Sequence, residues 1–180
     1  TLTRSSAASD VYKRQGPVNS IGVDSCSFIN PENLQDNVDP KIKLYCVPLM
    51  YTDRDTKGIK SDHGLTLTPC IMNPKSRGEV TIKSSNPKDR PLVNPNFLSN
   101  EDDLKLILNA VKFARKVINT KPLSDIIIEE YLPGTKTNKD DELIKYCKKM
   151  IKTNWHPVGT CKMGHDNDDM AVLNSKLQVL

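Results

Sequence analysis

The sequence predicts an α+β fold, a largely antiparallel sheet with helices packed on it. Three observations carry that prediction: apolar residues alternate with polar ones over short runs between residues 42 and 83, apolar residues recur at helical spacing after residue 100, and the strand signals precede the helix signals. At 180 residues the chain is long enough to bury a core.

The strand signals come first. Ile42, Leu44 and Cys46 alternate with Lys43 and Tyr45, and Pro48 stops the run. Leu65 and Leu67 alternate with Thr66 and Thr68, and Glu79-Val-Thr-Ile-Lys83 alternates again beyond the turn-rich Asn73-Pro-Lys-Ser-Arg-Gly78. Residues 65–83 are therefore expected to form two strands joined by a loop and paired antiparallel. Asn86–Asn96 contains Pro87, Pro91 and Pro95, which disfavour helix and central strand, so an irregular surface segment is expected there.

Ser99 or Asn100 is the expected cap of a first helix whose opening turn carries Glu101, Asp102 and Asp103, charges that suit the positive end of the helix dipole. Leu104, Ile107, Leu108, Val111, Ala114 and Ile118 form its apolar stripe. A second helix is expected from about Asp140 to Ile151, with Leu143, Ile144, Cys147, Met150 and Ile151 on one face. Lys145, Lys148, Lys149 and Lys152 give the opposite face a solvated character.

Composition excludes several classes of function. The net charge is +4, basic and acidic residues are interspersed, and aromatics make up only 5%, so neither a basic nucleic-acid surface nor a base-stacking platform is present. No uncharged apolar run approaches the ~18 residues of a membrane span. Cys26, Cys46, Cys70, Cys147 and Cys161 are odd in number and contain no CxxC pair, so buried, reduced thiols are expected rather than disulfides or a zinc ribbon. Free thiols and the lack of a span favour a cytoplasmic location or one peripheral to a membrane.

The two ends differ from the middle. Residues 1–15 share neither the composition nor the periodicity of the chain beyond Gly16, and they read as a non-native or disordered segment preceding a domain at 16–180. Leu177-Gln-Val-Leu180 is an apolar run with no terminating turn, so a strand interrupted by the end of the chain, and hence a truncated domain, is expected.

Chemistry concentrates in Asn154-Trp-His-Pro-Val-Gly-Thr-Cys-Lys-Met-Gly164. Pro157 fixes its own φ and holds the preceding His156 extended, which gives the imidazole a defined direction. Gly159 and Gly164 remove side chains on either side, permitting close approach of the backbone. His156, Cys161 and His165 lie near one another in sequence, but their spacing matches no zinc pattern and no metal is expected.

Several collinear motifs carry a family resemblance: Gly16-Pro17 with Gly22-Val23 and Phe28, Pro74-Lys-Ser-Arg-Gly78, Asn86-Pro87 with Pro91, Asn94-Pro-Asn-Phe-Leu98, and His156-Pro-Val-Gly-Thr160 with Met163-Gly164. In these the chain resembles the C-terminal, substrate-binding portion of the glucose-methanol-choline (GMC) oxidoreductases, with the choline-dehydrogenase-like branch most similar. The resemblance implies a flavoprotein that oxidises the CH–OH group of an alcohol, passes hydride to FAD and hands electrons to an external acceptor such as oxygen or a quinone.

It also implies that His156 is the base toward the substrate hydroxyl, a task suited to a neutral imidazole. Asn154 and Trp155 become candidates for the substrate wall, and Pro157, Val158 and Gly159 for positions beside the cofactor. Arg77 is read as structural, bonding loop carbonyls. The glycines form no GxGxxG, so FAD is expected to be bound mainly by an N-terminal domain outside this sequence. The family's second catalytic residue, an Asn or His, is expected beyond Leu180, and the isolated chain is expected to be inactive. The competing reading is a non-catalytic module, derived from this domain, that binds a small ligand or a protein.

Overall fold

Alternation within Ile42–Val47 becomes the central strand of a sheet. The computed structural model describes Val23 and residues 25–35, 39–50, 64–156 and 159–180. Within residues 1–150, which form one compact unit, β1 (Ser25–Ile29), β2 (Ile42–Val47) and β3 (Thr66–Ile71) make an antiparallel sheet in the order β1-β2-β3. Phe28 lies opposite Lys43 in β1–β2, and Lys43 lies opposite Cys70 in β2–β3. Ile42 and Leu44 are buried on one face, while Lys43 and Tyr45 on the other are half-buried.

Helix α1 (Glu101–Ile118) packs against β3 and against a second helix, α2 (Asp140–Met150). Asn100 is the cap of α1, its side-chain oxygen accepting the Asp102 N–H at 2.9 Å. Helix α1 buries Ile107 and Leu108 of its stripe together with Ala110 beside it, and α2 contributes Leu143 and Cys147. Both helices place acids in the first turn and bases in the last, so each complements its own dipole. Among the described residues no helix is long and apolar enough to cross a membrane.

Four expectations need correction, the last of them within residues 151–180. Residues 65–71 and 79–83 do not pair with one another: β3 bonds back to β2, while β4 (Glu79–Thr81) pairs with β5 (Leu92–Asn94) in a separate two-stranded sheet. The proline-rich segment therefore contains a strand. It fits because only three residues pair, between Pro91 and Pro95, so neither proline is asked for a ladder hydrogen bond. The thiols are all free, as expected, yet only Cys147 is buried; Cys26 and Cys161 are exposed because the first faces outward from a sheet and the second lies in an irregular segment.

Residues 151–180 form a second compact unit without helices or extended strands among its described residues. The apolar run at its end is not a strand: Leu177 adopts φ 61° in a turn, and only Val179 bridges, antiparallel to Leu173. Asn174 explains the turn. Its carboxamide oxygen accepts the N–H groups of Lys176 at 2.9 Å and Gln178 at 3.0 Å, bending the chain back on itself.

Candidate active site

After the last turn of α2 the chain loses helical form at Ile151 and enters Thr153-Asn154-Trp155-His156. The Thr153 hydroxyl accepts the Trp155 N–H at 3.0 Å, a local turn that competes with helix continuation. Trp155 has φ 55°, a left-handed conformation that costs a bulky residue roughly 1–2 kcal/mol. The turn thus sets the direction in which the next residue leaves. Trp155 is 73% exposed, and His156, Gly159, Thr160 and Cys161 are exposed as well.

Gly159 has φ 98°, and a Cβ built there meets nothing within 4 Å. Glycine is required at this position by backbone conformation rather than by crowding. The exposed imidazole, the open face over Gly159 and the uncovered indole leave room for a flat ring system beside them. In that respect the segment fits a flavin ring, whereas the phosphate-binding GxGxxG is missing from the sequence. Pro157 and Val158 lie outside the described residues, as do His63 and the Gly16–Gly22 motif.

Residues after the exposed segment are anchored. Val172 and Leu173 donate to the Lys162 carbonyl at 2.8 and 3.1 Å, and Gly164 donates to the Leu173 carbonyl at 2.9 Å. Asp168 closes this platform, accepting from the Lys162 ammonium and from the Met170 N–H at 3.0 Å. Those two donors, the ammonium first, hold its carboxyl below the usual range. Gly164 is needed here for space: a Cβ would lie 2.8 Å from the Ala171 Cβ and 2.9 Å from an Asp168 oxygen.

Sequence reasoning placed Gly164 correctly as a close-approach glycine but named no partner for it. Lys162 and Asp168 were missed altogether; their only sequence signal is an opposite-charge pair six residues apart, which carries no period of helix or strand. Arg77 behaves as expected, donating to the carbonyls of Pro74 at 2.7 Å and Ser76 at 3.1 Å. Asn154 and Trp155 immediately precede His156 in the exposed segment.

Comparison with known proteins places this geometry in a family. The family model described as GMC oxidoreductase matches residues 74–180, beginning at the Pro74-Lys-Ser-Arg-Gly78 loop and running through the His156 segment. An alcohol dehydrogenase [acceptor] of Pseudomonas putida is 33% identical over 169 residues, covering 94% of this chain and 30% of the relative. An oxygen-dependent choline dehydrogenase of Brucella anthropi is 32% identical over 141 residues, covering 78% of this chain and 26% of the relative. The chain thus spans under a third of these relatives' length.

Among solved structures, pyridoxine 4-oxidase from Mesorbium loti superposes with a TM-score of 0.78 at 25% identity, covering 88% of this chain and 30% of that one. A formate oxidase of Aspergillus oryzae, studied for modification of its FAD, superposes with a TM-score of 0.74 at 20% identity, over 97% of this chain and 34% of its own, and shows the shared fold. With more than half of its residues inside the family model, the chain belongs to the GMC oxidoreductase family.

Proposed function

We propose that residues 16–180 are the substrate-binding portion of a flavin-dependent oxidoreductase acting on the CH–OH group of a small alcohol, with His156 as its base and residues 1–15 foreign to that domain. The observation that carries this reading is an exposed histidine, preceded by the left-handed Trp155 and followed by the open Gly159, inside the stretch matched by the family model.

Alcohol oxidation removes a hydride, with its two electrons, from the carbinol carbon and a proton from its oxygen, leaving a carbonyl. FAD, when bound, supplies the two-electron acceptor, and an external acceptor takes the electrons onward. His156 takes the hydroxyl proton on a ring nitrogen as the C–H bond breaks, so alkoxide character never has to accumulate unassisted. Trp155 and Asn154 bound the alcohol beside it. The chain carries no GxGxxG, so the dinucleotide is held mainly by a domain outside this sequence.

The test is His156→Ala in the full-length flavoprotein. Turnover of alcohols falls by about 10²–10⁴-fold while the flavin absorption spectrum persists; undiminished turnover overturns the assignment. The 180-residue chain purified alone is colourless and does not oxidise alcohols. A yellow product with a flavin spectrum contradicts that part of the reading.

A further inference from the structure

The β4–β5 ribbon has the residue pattern of a half-buried sheet, yet nothing covers it. Val80 lies directly opposite Val93, and Ile82 continues the alternation beyond Val80, while Glu79 lies opposite Asn94 and Thr81 opposite Leu92. One face is therefore apolar and β-branched and the other mainly polar, a pattern that belongs to a strand pair with one face packed. Every residue of both strands is nevertheless exposed, Val80 by 60% and Val93 by 65%, and Ile82 beside them by 88%. Apart from one another, neither strand packs extensively on a helix or on the three-stranded sheet.

The shape of the ribbon is fixed even so. At its base the Asn96 carboxamide donates to the Arg77 carbonyl at 2.9 Å. At its tip the Ser84 hydroxyl donates to Asp89 at 2.7 Å and accepts the Asn86 N–H at 3.1 Å. Polar groups at both ends thus find partners within the ribbon, and its apolar middle is left open. A two-stranded sheet is marginal in water by itself and becomes stable when a further element packs on its apolar face.

Two observations select the occupant. The alcohol dehydrogenase of Pseudomonas putida is matched over only 30% of its length, so a full-length protein of this kind has ample polypeptide elsewhere to cover the ribbon. Charge disfavours a second copy: residues 77–97 carry Arg77, Lys83, Lys88 and Arg90 against Glu79 and Asp89, and Asp89 is already engaged by Ser84. Two such ribbons face to face bring like charges together.

We propose that Val80, Ile82 and Val93 form a docking surface for the remainder of the full-length polypeptide, the part of the flavoprotein outside these 180 residues. The proposal rests on the reading of this chain as a portion of a larger flavoprotein and is independent of the role of His156.

Thiol protection in the full-length flavoprotein carrying Ile82→Cys tests it. Alkylation of the introduced thiol, read by mass spectrometry of its peptide, is at least about tenfold slower in native buffer than in denaturing urea, at every protein concentration. Val93→Cys reads the same face if Ile82→Cys fails to fold. A smaller ratio overturns the proposal, as does protection that disappears on dilution while a dimer dissociates, which assigns the face to a second copy. Photo-methionine introduced through Ile82→Met identifies the contact. The expected cross-link is intramolecular and ends on a peptide outside residues 1–180; one that ends within residues 1–180 overturns the proposal.

Protection in a protein that holds no flavin and oxidises no alcohol removes the proposed reaction and keeps the docking surface. Alcohol oxidation with an unprotected thiol keeps the reaction and removes the docking surface.

Discussion

Ser76 brings both its backbone N–H and its hydroxyl to 2.6 Å from one carboxylate oxygen of Asp103, and the Lys75 N–H reaches the other oxygen at 2.9 Å. The Ser76 hydroxyl also accepts the N–H of Asn100, the α1 cap, at 3.1 Å. Asp103 is nearly inaccessible to solvent. The loop at 74–78 is thereby fastened to the first turn of α1.

This clamp gives a pH prediction. Burial alone raises the Asp103 pKa, but its three hydrogen bonds outweigh burial and the net shift is downward. Its stabilising contribution is therefore present above the unfolded-state value of about 3.9 and is lost as pH falls through the lower folded value. Asp103→Asn loses about 2–3 kcal/mol at pH 7 and much less near pH 2, measured by urea unfolding at both pH values. Equal losses at the two pH values disprove the role of the ionised form.

Arg115 and Glu130 make the most enclosed ion pair among the described residues. The Arg115 guanidinium donates to both Glu130 oxygens, the Nε at 3.1 and 3.0 Å, and a terminal nitrogen also reaches the Gly134 carbonyl at 3.1 Å. Removing one partner leaves a largely enclosed charge without its counter-ion, so Glu130→Leu costs about 1–3 kcal/mol. The double variant Arg115→Met with Glu130→Leu recovers part of that loss. A double-mutant cycle in denaturant checks both values, and strictly additive losses exclude the pair as a coupled unit.

Gly159 and Gly164 respond differently to the same substitution. Gly164→Ala forces Ala171 or Asp168 to move and costs about 1–3 kcal/mol, with faster amide exchange at Val172 and Leu173. Gly159→Ala strains only its own backbone, at a cost of roughly 1–2 kcal/mol, and leaves those amides protected. Hydrogen exchange followed residue by residue distinguishes the two.

Leu143 is 1% exposed, so Leu143→Ala opens a cavity at the α1–α2 contact. The expected loss is about 2–5 kcal/mol in equilibrium unfolding. A loss below about 1 kcal/mol means that the neighbouring side chains collapse into the space.

Local periodicity made much of the fold legible. The alternation at 42–47, the cap at Asn100 and the apolar stripes of both helices depend on residues a few positions apart, and the structure places them as read. Pairing is different. Glu79–Thr81 finds Leu92–Asn94 rather than β3 because the intervening loop is held by Asp103, 27 and 28 residues downstream of the amides it accepts, instead of closing a hairpin. Asp103 itself read as one of three charges suiting a helix dipole; nothing in its sequence neighbourhood marks it as the residue that turns inward.

By itself the sequence determined the family, the antiparallel α+β character and His156 as the candidate base, because motif order, hydrophobic period and a histidine before proline are all written in neighbouring residues. Tertiary structure alone decided which strands pair, which thiol is buried, how Lys162 and Asp168 brace Gly164, and that Lys43 meets Phe28 across the sheet. Those contacts join residues far apart along the chain, where hydrogen bonding, burial and charge select among partners that no local pattern distinguishes.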